Sequence, residues 1–337
     1  LIAGCDIEGA VELGDPEEPA NRCGKMLLGL KRIAQAFFVS GSDGQRHGKG
    51  MVEEGAGARA ALGEALSTSG YVRARQEPRW REGDYLILSD VNRFVVEAVK
   101  DVSGEVFDYG CGGAPYAGLF AGCRRYVKAD VVPGPAVDVV LPADGGTGEA
   151  GESYDWVFST QVLEHVADPG HYLAECARIL RPGGRLVLTT HGFYPEHGCP
   201  HDYHRWTVSG MVRAVEAAGM EVEVMGKLTT GVRAAVQLAH HCVWNLRVAP
   251  SRGGWSVVLG LVRKVYGWVG VPVLNAWADV FPEQGVTKVT APGAWYVGIS
   301  VRARKPVQAE SVVTGSSGKA VPVVAPGVEA AGMRDPR

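Results

Sequence analysis

The most chemically suggestive spacing in this chain runs from Asp108 to Asp130. In Asp108-Tyr-Gly-Cys-Gly-Gly113 a carboxylate stands two residues before the first of three glycines, Gly110, Gly112 and Gly113, with Cys111 among them. The preceding run, Glu105 to Tyr109, is short, mostly apolar and ended by glycine, which predicts a buried parallel strand. Glycines directly after such a strand let the backbone turn sharply and approach a ligand closely. A carboxylate at the strand end is placed to accept hydrogen bonds from an ammonium or hydroxyl held over the loop. Eighteen residues past Gly112, Asp130 ends a second short strand, Tyr126 to Asp130, at the distance from which an acid reaches a ribose diol. Together these residues describe a nucleoside-binding crevice.

A second dense group is His191-Gly-Phe-Tyr-Pro-Glu-His197-Gly-Cys-Pro-His201-Asp-Tyr-His204-Arg-Trp-Thr207. His197, Cys199, His201 and His204 have the ligand types of a zinc site, but not a standard spacing, and no second cysteine pair accompanies them, so no metal is expected. A histidine here could instead take a proton from a hydroxyl acceptor. The third reading is a structural loop in which Asp202 pairs with Arg205 and Thr207 caps the helix from Val208. Ahead of this group, Ser159, Thr160 and Gln161 end a strand, so Gln161 should face a ligand bound beyond the strand ends. Glu164 and His165 follow one turn later and look like an acid–base pair.

Four blocks, in order, carry a resemblance. They are Asp108-Tyr-Gly-Cys-Gly, Tyr126 to Asp130, Tyr154-Asp-Trp-Val-Phe-Ser-Thr-Gln-Val-Leu-Glu-His-Val166, and Leu180-Arg-Pro-Gly-Gly-Arg-Leu-Val-Leu-Thr-Thr190. In combination they resemble a class I S-adenosylmethionine-dependent methyltransferase of the type 11 family, over about residues 89 to 232 with a final strand near 295–305. The resemblance implies S-adenosylmethionine as cofactor, gripped by the loop Asp108, Gly110, Cys111 and Gly112 at its amino-acid end and by Asp130 at the ribose. Relatives often have Gly-Asp-Ala before Leu-Pro-Phe, where the acid touches the adenine amine. This chain departs, with Asp138-Val-Val-Leu-Pro-Ala-Asp144, so Asp144 is the adenine candidate and Asp138 the next. Glu-His at 164–165 usually helps fix the following turn in the family. Many relatives carry H-x-x-P-x-D-x-x-R-x-T over the active site, matched here by His197, Pro200, Asp202, Arg205 and Thr207. His197 and His201 are the candidate catalytic bases.

The elements that must position these residues alternate. A helix is expected over Ser89 to Val102 with Ser89 as N-cap, another from Tyr116, then Gly170 to Leu180 and Val208 to Ala218; strands fall at Trp156 to Ser159, Arg185 to Thr190 and Met220 to Met225. Alternation of this kind predicts an α/β fold, doubly wound, with helices on both faces of a mostly parallel sheet. The resemblance implies seven strands, with the last, Tyr296 to Arg302, inserted antiparallel. The expected organisation is a poorly ordered extension over 1–75, a methyltransferase domain over 76–305 and a disordered tail over 306–337. A helical insertion of about 230–292 precedes the last strand. Its apolar run is broken by Arg263 and Lys264 and ended by Pro272, which argues against a membrane span and for a lid, a homodimer surface or a peripheral membrane contact.

Composition sets the remaining bounds. With 337 residues, 46% apolar and 21% charged, the chain reads as globular. A net charge of −3 and the absence of a basic block give no reason to expect nucleic acid. Seven scattered cysteines without a CxxC pair suit free thiols in a reducing cytoplasm, and no charged-then-apolar leader is seen. The expected activity is O-methylation of a small-molecule, glycan or lipid-linked acceptor, in the cytoplasm or at the inner face of the membrane. The rivals are an NAD(P)-dependent oxidoreductase and a non-catalytic S-adenosylmethionine-binding partner subunit. Pro115 at the third glycine position of G-x-G-x-x-G argues against the oxidoreductase.

Overall fold

The computed structural model describes residue 59 and residues 61–197, 201–247, 254–288 and 295–307. Its centre is one sheet of strands β1 (Glu105–Tyr109), β2 (Arg125–Asp130), β3 (Val139–Val140), β4 (Tyr154–Thr160), β5 (Leu180–His191), β6 (Glu221–Thr230), β7 (Val286–Lys288) and β8 (Tyr296–Arg304), ordered β3-β2-β1-β4-β5-β8-β6-β7. The pairs from β3 to β5 are parallel, whereas β8 runs antiparallel to both β5 and β6. The sheet thus has eight strands where seven were expected. The extra one is β7, an edge strand contributed by the insertion, which pairs antiparallel with β6. It extends the edge without altering the order of the other seven.

Helices cover both faces. On one, α3 (Pro169–Ile179) and α4 (Val208–Ala217) bury Tyr172, Leu173, Cys176, Met211 and Val215 against Phe107, Val157, Leu186 and Ile299. On the other, α2 (Tyr85–Ala98) buries Ile87, Val91, Phe94 and Val95 against Val106, Trp156, Val187 and Val297. Helix α2 starts four residues before the expected Ser89, with Asp84 as N-cap; Ser89 lies inside it and donates its hydroxyl to the Leu86 carbonyl. The buried Leu86 and Ile87 explain the earlier start, because the apolar stripe extends past the polar residue that looked like a cap. The helix expected from Tyr116 is a single 3-10 turn, Ala117–Phe120. Thr207 caps α4 as expected, accepting from the Gly210 N–H at 3.1 Å.

The domain begins before residue 76. Residues 61–66 are helical and α1 spans Ser69–Gln76. Leu62 is buried, and Gln76 Nε2 donates to the Pro115 carbonyl at 2.7 Å, fastening this segment to the end of the glycine loop. The part of the 1–75 extension that lies among the described residues is therefore packed structure. Residues 308–337, most of the expected tail, lie outside them.

The insertion consists of α5 (Gly231–Asn245), α6 (Trp255–Val265), a π-turn (Tyr266–Gly270), α7 (Val271–Ala278) and β7. Pro272 does not end the helix; it follows the π-turn in the first turn of α7, and the backbone stays helical through it. Arg233 of α5, 1% exposed, fastens the insertion to the domain. It donates to Asp90 Oδ1 on α2 at 2.8 Å and to Asp279 Oδ1 just past α7 at 2.7 Å, and Thr229 adds a 2.7 Å bond to Asp90 Oδ2. Burial pushes the Asp90 carboxyl up, and Arg233 and Thr229 oppose that. Breaking one partner of a buried pair strands the other, so Arg233→Ala should lower unfolding stability by about 3–5 kcal/mol. Urea unfolding at neutral pH reads this, and a loss below about 1 kcal/mol would show that water or another cation satisfies Asp90.

Candidate functional site

The glycine loop forms where β1 ends in the middle of the sheet. Gly110 has φ +82° and Gly112 φ +52°, left-handed conformations that side chains rarely adopt. The N–H groups of Gly110 and Cys111 both donate to the Ala129 carbonyl, at 2.8 and 3.0 Å, which curls the loop over the end of β2. A Cβ at Gly112 would meet nothing closer than 3.8 Å, so the loop faces open space there. Leu66 and Tyr71 flank that space, which makes the segment before residue 76 a wall of the crevice.

Asp108 lies beneath the loop. It is buried, its Oδ2 accepts from the Tyr126 hydroxyl, and burial pushes its carboxyl up to about 7. Asp130 accepts from the Gly112 N–H and the Val132 N–H, both at 2.8 Å, so it props the loop from below. Burial pushes its carboxyl up as well, while those backbone donors and nearby His165 pull it back. Cys111 is buried, and burial raises its thiol. Asp144 is exposed and caps its own turn through the Gly146 N–H at 3.0 Å, whereas Asp138 is held by Lys128 at 3.0 Å. Gln161 has φ +54°, donates Nε2 to Thr189 Oγ1 at 3.1 Å, and keeps a buried Oε1 without a partner. An orphaned buried acceptor beside a glycine loop open to a ligand is what a nucleoside cofactor would complete, so these residues fit S-adenosylmethionine.

The histidines gather beyond the ends of β4 and β5. Glu164, fully buried, accepts from Thr190 Oγ1 at 2.9 Å, and its carbonyl accepts from the Tyr203 N–H at 2.8 Å. It therefore ties the 201–206 loop to the strand ends. Its Oε1 has no hydrogen-bond partner and lies 3.3 Å from His191 Nε2 and 3.9 Å from His165 Nε2. His165 is oriented by donating Nδ1–H to the His201 carbonyl at 2.6 Å. His191 is buried under Tyr194, with ring centroids 4.1 Å apart, and burial with the nearby His197, Arg205 and His165 holds it neutral.

His197 and His201 separate here. The His197 ring stands 5.1 Å from His165 and 4.8 Å from His191, with Nδ1 3.1 Å from Asp202 Oδ2. The Asp202 side chain is fully buried and clamped by Arg205, and its Oδ2 also accepts from the His197 N–H at 2.8 Å. Burial and His165 bring His197 down to about 4, against the pull of Asp202. The imidazole is therefore neutral at ordinary pH, and the Asp202 carboxylate stands beside its Nδ1, which is buried and makes no hydrogen bond. A neutral imidazole with a carboxylate within 3.1 Å is a candidate general base, which a small rotation of the ring would let Asp202 orient. His201 is exposed and contributes its carbonyl rather than its ring.

Among the described residues the group able to hold a metal is Glu164, His165 and His197, whose ligand atoms all lie within 4.8 Å of one another. The other grouping, His197 with Cys199, His201 and His204, includes Cys199, which lies outside the described residues. The sequence pointed to the 197–205 loop because histidine is dense there. Glu164 was read as one of an acid–base pair with His165 or as fixing the following turn, and His191 was given no role; strand-end position was the signal that could have added His191.

Residues 107–188 match the family model described as a methyltransferase domain. Curated relatives include ubiquinone biosynthesis O-methyltransferases of Parvibaculum lavamentivorans, 30% identical over 34% of this chain and 58% of that protein, and of Cereibacter sphaeroides, 34% identical over 25% of this chain and 40% of that protein. The chain thus matches only about half the length of these relatives. Among solved structures, an S-adenosylmethionine-dependent methyltransferase from Mesorhizobium loti aligns over 64% of this chain and 97% of its own, with 15% identity and a TM-score of 0.39. SpnF, titled a cyclase, aligns over 68% and 85%, with 17% identity and a TM-score of 0.40. On its glycine loop, its strand order and the matched family model, this chain carries a class I S-adenosylmethionine-dependent methyltransferase domain.

Proposed function

We propose that the chain O-methylates a hydroxyl of a small-molecule, glycan or lipid-linked acceptor, with His197 as the base. The observation that carries this reading is the His197–Asp202 pair, 3.1 Å apart and standing beside His165 beyond the end of β4. When bound, S-adenosylmethionine supplies a methyl group on a sulfonium, an electrophile that a hydroxyl oxygen attacks in line. The residues then have two tasks. The loop at Gly110 and Gly112, with the Gln161 Oε1 acceptor, holds the donor and so sets the attack line, which alone can supply a large part of the rate. His197 Nε2 takes the hydroxyl proton as the new bond forms, and Asp202 steadies the imidazolium through Nδ1.

The antiparallel β8 between β5 and β6 favours this reading over a nicotinamide oxidoreductase, whose sheet is parallel throughout. Calorimetry with the purified chain separates the two: S-adenosylmethionine is expected to bind and NAD to give no heat. Tight NAD binding without S-adenosylmethionine binding would overturn the proposal. A methyl label that moves to nitrogen or carbon of every acceptor turned over would overturn the O-methylation part alone.

A further inference from the structure

We infer that α6 and the π-turn after it form a docking surface for an anionic lipid bilayer, lying in its interface without crossing it. From Trp255 to Gly270 no residue is buried, although the stretch is Trp-Ser-Val-Val-Leu-Gly-Leu-Val-Arg-Lys-Val-Tyr-Gly-Trp-Val-Gly. Val257 and Trp268 are each 75% exposed, and Leu261, Val265 and Val269 are exposed with them. A helix apolar on nearly every side does not stand in water unaided, so it needs a covering partner.

Three observations select a lipid surface. The first is charge. Between Trp255 and Ala278 there is no acid, and Arg263 and Lys264 stand near the middle of the exposed stretch. A second copy packed about a two-fold axis at this helix would bring those cations against their own counterparts on a helix that carries no acid of its own. Anionic headgroups complement them instead. The second is tryptophan. Six of the chain's eight tryptophans are exposed, among them Trp255, Trp268, Trp277 and Trp244, whose ring approaches Gly267. Such rings suit the headgroup level, where one edge is apolar and the other wet.

The third observation excludes a span. The helix Trp255–Ala278 is long and apolar enough to cross a membrane by length and composition. Its C-terminal third, however, is built into the domain. Val271, Pro272, Asn275 and Ala278 are buried, Asn275 donates to the Trp80 and Glu82 carbonyls at 2.8 and 3.0 Å, and His240 Nε2 bonds Asn275 Oδ1 at 3.0 Å. Only the eleven residues of α6 and five of the π-turn contain no buried residue. They reach about 24 Å as a helix, short of the roughly 30 Å apolar core.

The surface is also one layer from the site. The Tyr266 hydroxyl meets His240 Nδ1 at 2.8 Å, and the next residue, His241, packs on Tyr194 at 4.7 Å, which itself covers His191. A docked bilayer would thus lie against the helix that roofs the histidine cluster.

Flotation of the full chain with phosphatidylcholine vesicles, with and without phosphatidylglycerol, tests the inference, and its readout is independent of methyl transfer. The chain is expected to float with the anionic vesicles and to be released in part by high salt. Leu261→Glu and Trp268→Glu change exposed positions, so both should fold and bind S-adenosylmethionine as the parent does, yet each should lower vesicle binding roughly tenfold or more. No flotation with either vesicle, or flotation undiminished in both variants, would overturn the docking surface. So would a parent dimer that Trp268→Glu converts to monomer without any vesicle binding. Resistance of the membrane-bound chain to alkaline carbonate would overturn the shallow geometry in favour of a span.

Discussion

Replacing Gly110 by valine is expected to abolish S-adenosylmethionine binding. The residue sits at φ +82°, and a Cβ there would lie 2.5 Å from Val162 Cγ2 and 2.7 Å from Cγ1. Strain at a position of this kind costs about 1–3 kcal/mol, and relieving the clash moves Val162 together with its neighbour Gln161, whose buried Oε1 has no partner. Gly112→Val separates loss of site from loss of fold. A Cβ at Gly112 meets only open space and the distant ends of Leu66 and Tyr71, so the added side chain fills the ligand's place and its cost to the fold is the backbone strain at φ +52° alone. Both variants should keep the parent's circular dichroism and give no calorimetric heat with S-adenosylmethionine. A folded Gly112→Val chain that binds as tightly as the parent would place the cofactor elsewhere.

His197→Ala is expected to lower kcat by about 10²–10⁴-fold, the usual contribution of a positioned base, with S-adenosylmethionine affinity unchanged. His201→Ala should leave kcat near the parent's, because its exposed ring stands apart from the cluster and its carbonyl survives the change. The pH profile carries a second signature. A base acts in its neutral form, and His197 is neutral above about 4, so kcat/KM should hold as pH falls through 6.5 and drop only as it approaches about 4. Asp202 raises the His197 value, so Asp202→Asn should lower kcat by loosening the ring and should move the acid limb down, not up. An acid limb at 6.5 in the parent, or equal losses in His197→Ala and His201→Ala, would point to another histidine.

Much of the architecture was legible in the chain. Apolar runs ended by glycine or acid located β1, β2, β4 and β5, because strands buried on both faces leave a continuous apolar signal. The glycine loop was legible because left-handed backbone next to a ligand admits few other residues, and Gly110 and Gly112 do adopt positive φ. The capped start of α4 at Thr207 was local chemistry and came out as expected. The start of α2 did not, since Leu86 and Ile87 are buried by tertiary partners that a local capping rule ignores. The eighth strand was invisible because three residues of edge strand carry no periodicity of their own and pair only with β6.

The sequence by itself determined the glycine-loop side of the candidate site, since strand, loop and Asp130 lie within one short stretch whose geometry is set by backbone rules. Only the tertiary structure decided the acceptor side. His197 and His201 are equal candidates in a linear reading, and folding turns one ring toward His165, His191 and Asp202 and the other to solvent. Glu164 is brought against Thr190 and His191 from another strand end, and Leu66 is brought over the glycine loop from a segment that looked peripheral. The insertion follows the same division. Its composition announces an apolar helix, but which part of that helix is built into the domain depends on Asn275 and on Arg233, whose partners hold one end there. Contacts between residues far apart in the chain leave no periodic trace in it, and for that reason the positions of the histidine cluster, the crevice wall and the anchor of the insertion appear only once the chain is folded.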